Sequence, residues 1–181
     1  SGVSEAALLT IPNVSARPAE PADPPPTATP TTAPGDPEAG LETLGFDGLG
    51  PFELGATVDE LQRLNAIVEG YCGWHTSEAL IEKGVSLEVY DTLVAISLLS
   101  GSTITTGDGA RVGMSTAEVV ALYGDRVVTE VKFGNGGEFD AGVVRQGDLE
   151  LVFTPWDVSL GLDPVAVITL REYSEDMFGG C

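Results

Sequence analysis

The chain has 181 residues, with 28 acidic side chains against 8 Lys and Arg and a single His, giving a formal charge of −20 at neutral pH. Such a field, with the basic residues scattered along the sequence, repels phosphate backbones and anionic headgroups and so excludes nucleic acid as an expected partner. No run approaches the roughly 18 consecutive apolar residues that a membrane helix needs.

Residues 1–40 hold five of the acids against Arg17, so −16 of the charge belongs to residues 41–181. The plain reading of that charge is a solvated surface, and the sharper one is attraction to a basic partner or to divalent cations. The chain begins Ser1-Gly2-Val3 without an initiator Met, which reads as a processed or trimmed product. Ala6 to Ile11 is a short apolar run, read as linker, with docking on a partner or sheet edge as the alternative. Residues 17–37 read RPAEPADPPPTATPTTAPGDP, with no aromatic residue and no aliphatic one larger than Ala. A segment of this kind cannot bury enough apolar surface to offset its ordering entropy and favours extended polyproline II. Residues 1–40 are therefore expected to form a disordered Pro/Ala/Thr-rich tether, and residues 41–181 one folded domain.

Within that domain, Gly55-Ala56-Thr57-Val58-Asp59-Glu60-Leu61 recurs as Gly113-Met114-Ser115-Thr116-Ala117-Glu118-Val119, and an Asp-Gly pair precedes each copy, at Asp47-Gly48 and Asp108-Gly109. In both copies the hydroxyl of Thr57 or Ser115 and the carboxylate of Glu60 or Glu118 have the spacing of a capping box, which predicts a helix start. Val58, Leu61, Leu64, Ile67 and Val68 then continue an amphipathic stripe as far as Gly70; Val119, Leu122 and Tyr123 do the same up to Gly124. A short helix is also expected within Ser77 to Lys83.

Strand signals follow each helix. Leu87 to Tyr90 with Val94 to Ile96, and Leu149 to Phe153 with Val165 to Val167, read as two hairpins whose first arms alternate apolar and polar positions, so Leu87, Val89, Leu149 and Leu151 should face the helices while Ser86, Glu88, Tyr90 and Glu150 face the other way. Val127 to Phe133 and Phe139 to Val144, joined through Gly134-Asn135-Gly136-Gly137, read as a further hairpin. The expected fold class is α+β: two tandem helix-plus-antiparallel-strand units, about 45–106 and 107–181, with the helices packed on one face of an antiparallel sheet of roughly five to seven strands.

The glycines and carboxylates form no phosphate cradle and no calcium-loop spacing, so no cofactor and no metal is expected. His75 lies three residues from Cys72 beside Trp74, but a nucleophile pair needs an orienting third group, and no catalytic residue is assigned. Cys72 and Cys181 are the only cysteines. Paired in an oxidising compartment, they would close a loop of about 110 residues, for which loop entropy gives up to about 4–5 kcal/mol; two unpaired cytosolic thiols are the other reading.

The twice-used Gly-x-[Ser/Thr]-x-x-Glu-[Leu/Val] helix start, most clearly Gly113 to Gly124, resembles the tandem unit of the beta-lactamase inhibitory protein family and of the small outer-membrane assembly lipoproteins. The Pro/Thr stalk, the Asp47 to Pro51 segment and Cys181 look like secreted actinobacterial lipoproteins. This resemblance implies protein–protein recognition through a sheet face, without transferring any contact residue. Tyr90, Trp156 and Tyr173, with Glu88 and Glu150, are the candidate binding residues, since Tyr and Trp contribute disproportionately to interfaces. The expected function is a non-catalytic protein-recognition module outside the cytoplasm, secreted or held at the cell envelope by a lipid anchor, its partner another protein with a basic surface. An accessory subunit of a membrane complex, or a small-ligand carrier or enzyme using the sheet face, is the alternative.

Overall fold

The computed structural model describes residues 40–70, 73–134, 137–155 and 164–173. Cys72, Cys181 and Trp156 lie outside these residues, as does the expected tether. In chain order the elements are β1 (Thr43–Gly45), β2 (Gly48–Leu49), α1 (Val58–Arg63), β3 (Ile67–Gly70), β4 (Gly73–Thr76), α2 (Glu78–Glu82), β5 (Val85–Val89), β6 (Leu93–Leu98), β7 (Thr105–Thr106), α3 (Thr116–Tyr123), β8 (Val127–Gly134), β9 (Gly137–Gln146), β10 (Leu149–Thr154) and β11 (Val167–Glu172). A 3-10 turn, Gly124–Arg126, joins α3 to β8.

Strand dominates. A six-stranded antiparallel sheet in the order β5-β6-β11-β10-β9-β8 forms the body of the domain. Two small sheets stand beside it: β2-β1-β7, and the β3-β4 hairpin. This overturns the α+β expectation of two tandem units with helices packed on a sheet: the structure is mostly β, and the three α-helices among the described residues run only six, five and eight residues.

The physical reason is visible in α1. Its capping box is present: Glu60 Oε2 accepts from the Thr57 N–H at 2.8 Å and from the Thr57 hydroxyl at 2.7 Å, and Thr57 Oγ1 accepts from the Glu60 N–H at 3.4 Å. The helix nevertheless stops at Arg63, because Asn65 takes a left-handed φ of 52°. Ile67 and Val68, which continue the apolar stripe on paper, lie instead in β3. In α3 the same box forms between Ser115 and Glu118, and the helix ends at Gly124 (φ 56°), as its spacing predicts.

Both helix starts dock in the same way. The Gly55 N–H donates to Leu93 O and the Leu93 N–H to Ala56 O, both at 2.8 Å; the Gly113 N–H donates to Val165 O and the Val165 N–H to Met114 O, also at 2.8 Å. Gly55 and Gly113 hold φ of 85° and 92°, a region that only glycine adopts without strain. The recurrence is thus local to the caps: the first half supplies two strands to the large sheet and the second supplies four.

Leu87, Val89, Ile96, Leu98, Leu151, Phe153, Ile168 and Leu170 line the core face of that sheet and are all buried. The helices contribute Leu61, Leu80, Val119 and Tyr123 to this core, while the irregular segment from Leu41 to Phe52 contributes Leu41, Leu44, Leu49 and Phe52 by itself. A lid of loops and two- or three-residue strands therefore shares the covering role expected of helices. Tyr123 ties the layers together: its ring lies 5.5 Å from that of Phe153, and its hydroxyl is 2.7 Å from Thr106 Oγ1 on β7.

Candidate binding surface

The register places one transverse row of side chains on the sheet face opposite the core: Glu88 (β5), Ala95 (β6), Arg171 (β11), Glu150 (β10) and Arg145 (β9). The next row holds Ser86, Ser97, Thr169, Val152 and Val143, with the Ser97 and Thr169 hydroxyls 2.9 Å apart. Alternation along each strand is what puts charged and hydroxyl residues here and Leu, Ile and Phe on the other side.

Lys132 joins the charged row by an unexpected route. It pairs with Phe139, whereas Glu150 pairs with Arg145, six residues farther along β9 and about 20 Å away in a flat sheet. Yet Lys132 Nζ lies 3.1 and 3.0 Å from the two carboxylate oxygens of Glu150. The β8-β9 ribbon must curl over the face of β10 to make this contact. Phe139 packs against buried Ala141, Val143 and Val152 on the same face, a second and smaller apolar cluster under the curl.

The result is a buried ion cluster. Glu150 is fully buried, Lys132 is 1% exposed and Arg171 is 3% exposed. Arg171 donates to Glu150 Oε1 through Nε at 2.9 Å and approaches it through Nη2 at 2.8 Å. Arg145 donates to Glu130 Oε2 at 2.6 Å and lies 3.5 Å from Glu150, and Lys132 also stands 3.4 Å from Glu130. Burial pushes the Glu130 carboxyl up, but the hydrogen bond and charge of Arg145, with the charge of Lys132, outweigh it and hold Glu130 below the usual carboxylate range. Three cations face two carboxylates, leaving a net charge of +1 within a chain of −20.

Tyr173 closes this cluster. Its ring centroid lies 4.3 Å from the Arg145 guanidinium carbon and 5.2 Å from Lys132 Nζ, while the ring remains 51% exposed. Its N–H donates to Asp148 O at 2.7 Å, which fixes the backbone just beyond β11. Alongside runs β8, the last strand of this sheet among the described residues, bearing exposed Val128, Val131 and Phe133.

Of the residues singled out in the sequence, Glu150 and Tyr173 come together in this cluster. Glu88 lies on the same row, about 14 Å from Glu150 across three strand spacings. Tyr90, half exposed past a bulge at Glu88 and Val89, donates to Glu88 Oε1 at 3.0 Å and forms a separate feature at the opposite edge. The hydrogen bond to Glu88, then burial, raises the Tyr90 phenol above its ordinary range. His75 is exposed on β4. Sequence reasoning missed Glu130, Lys132, Arg145 and Arg171. Their signal was their position at polar sites of alternating strands, but bringing them together requires the register and the curl.

A groove of about 780 Å³ runs along α1, lined in part by Glu53, Leu54, Glu60 and Arg63. Two of its polar groups are engaged locally: Glu60 in the capping box and Arg63 Nε in a bond to Asp59 O at 3.2 Å. Among the described residues no group of three or more His, Cys, Asp or Glu could hold a metal ion, and no helix is long and apolar enough to cross a membrane. No family model, curated protein or solved structure matches the chain.

Proposed function

We propose that this chain is a non-catalytic protein-recognition module, held outside the cytoplasm at a cell envelope by its Pro-rich segment, which binds through the corner formed by Tyr173, Arg145 and β8. The observation that carries this reading is Tyr173: a half-exposed ring stacked on two cations that are themselves fixed by carboxylates. An aromatic anchor held in one orientation before binding loses little entropy when a partner covers it, and Tyr and Arg are enriched among the residues that dominate interfaces. The energetics point the same way. Burying Lys132, Arg171 and Glu150 is costly, and well-packed apolar residues would hold the sheet at least as well, so a sheet built only for stability gains little from this arrangement. With −20 on the chain, the partner surface is net basic and approaches faster at low salt.

The test is site-specific cross-linking. A photoreactive amino acid in place of Tyr173 should trap one discrete protein from the source cell, and the same group in place of the exposed Val120 on α3 should not. Equal yields from both positions, or none from position 173, would reject this surface.

A further inference from the structure

The groove along α1 lies where the two helix starts differ in side chain but not in backbone. The Ala56 N–H donates to Glu53 O at 3.1 Å and the Met114 N–H to Arg111 O at 3.3 Å, so Glu53 and Arg111 open the same turn. In the second copy an arginine and a methionine thus stand where the first has a glutamate and an alanine. The Ser115 N–H and hydroxyl hold the Glu118 carboxyl below the usual carboxylate range, and the charge of Arg111 adds to them. In the first copy that lesser part is played by Arg63, from α1 itself, beside Glu60. Glu60 and Arg63 balance in charge, and among the described residues the exposed Glu53 carboxylate accepts no hydrogen bond and meets no cation. It stands at a groove of about 780 Å³, whose walls also carry Pro51, Leu54, Ala56 and Leu64. Small-ligand sites typically measure roughly 300–1,000 Å³ and combine an apolar lining with a few polar groups.

We infer that this groove is a binding site for a small amphipathic organic cation, a guanidinium or ammonium group on an aliphatic body. The cation would stand beside Glu53, bringing to the first copy the charge that the second carries in its own Arg111. The aliphatic body would cover Ala56, Leu54 and Leu64, at the turn where the second copy carries the longer Met114. The −20 field draws such a ligand in and repels anionic competitors. This site goes beyond the recognition reading and does not depend on the Tyr173 corner.

Hexylguanidinium is the probe, titrated into the full chain by calorimetry while the backbone amides of residues 53–64 are followed by NMR. It should bind saturably and shift those amides. Hexylurea, which keeps the body and loses the charge, and methylguanidinium, which keeps the charge and loses the body, should each bind about tenfold more weakly or worse. Glu53→Gln should weaken hexylguanidinium to the same extent and leave hexylurea unchanged; the side chain is exposed, so the variant keeps its fold, checked by circular dichroism. Ala56→Met, which copies the second helix start, should weaken both ligands by narrowing the groove. Glu138→Gln, at an exposed carboxylate on β9, should change neither. Equal binding of hexylguanidinium and hexylurea, unchanged binding in Glu53→Gln, or equal losses in Glu53→Gln and Glu138→Gln would show adsorption to the surface and overturn the site. A partner's arginine is the other source of this chemistry: acetyl-Leu-Arg-Leu amide shifting residues 53–64 where hexylguanidinium does not would make the groove part of a protein interface and overturn the small-ligand reading. The Tyr173 cross-link tests the recognition reading separately, so either can fail alone.

Discussion

The two edges of the six-stranded sheet are finished differently. On β5 the outward backbone of Leu87 is closed by the Thr76 hydroxyl, which accepts from Leu87 N–H at 2.7 Å and donates to Leu87 O at 3.1 Å, and a bulge at Glu88 and Val89 ends the regular ladder. On β8 the strand runs eight residues with apolar side chains exposed and its ions gathered behind it. Unpaired edges invite association, and chains ordinarily blunt them. The lesson is that the two ends of one sheet are secured by different means, a single threonine hydroxyl at β5 and a buried ion cluster behind β8.

The comparison breaks most sharply at Glu150. Glu150→Gln leaves Lys132 and Arg171 buried against a neutral amide, and should cost about 3–5 kcal/mol in urea unfolding. Replacing the three buried members, Lys132→Met with Glu150→Met and Arg171→Met, should instead leave stability unchanged or raise it by up to about 4 kcal/mol, because the desolvation of all three charges is removed. That triple variant should still lose binding at Tyr173, which separates the cluster's role in holding the anchor from any role in holding the fold. A large stability loss would make the cluster a structural necessity.

Individual elements around this contrast were readable beforehand, though their assembly into a mostly β fold was not. The Gly-rich turn between two alternating stretches announces β8 and β9, and the two Gly-x-[Thr/Ser] caps announce α1 and α3. The length of α1 was not readable, because Ile67 and Val68 fit a helical stripe as well as a strand and only Asn65 decides between them. Strands as short as β1, β2 and β7 fall below any periodicity signal. Glu150 and Tyr173 stood out as polar and aromatic positions, but their cations did not, since Lys132 and Arg171 reach Glu150 across 18 and 21 residues of sequence.

Smaller effects sharpen the comparison from the β5 side. Thr76→Val should cost about 1 kcal/mol, the worth of the lost hydrogen bonds, and should speed amide exchange at Leu87, measured by NMR. Exchange at Leu87 unchanged by the substitution would remove Thr76 as the closing group. The pH dependence is the mildest test. Glu130 has its folded pKa held down, so its contribution is complete above the unfolded value of about 4.3 and is lost as pH falls through the folded value. Glu60 and Glu118, held down first by the Thr57 and Ser115 backbone N–H groups, act in the same window. Urea midpoints should therefore fall below about pH 4, and less steeply in Glu130→Gln.

Hydrogen–deuterium exchange of the chain with and without the protein trapped at Tyr173 bears most directly on the proposed binding corner. Protection should concentrate in residues 127–134 and around Tyr173, with the β3-β4 hairpin and the β5 edge unchanged. Protection confined to β3, β4 or β5, with β8 exchanging as in the free chain, would contradict the account.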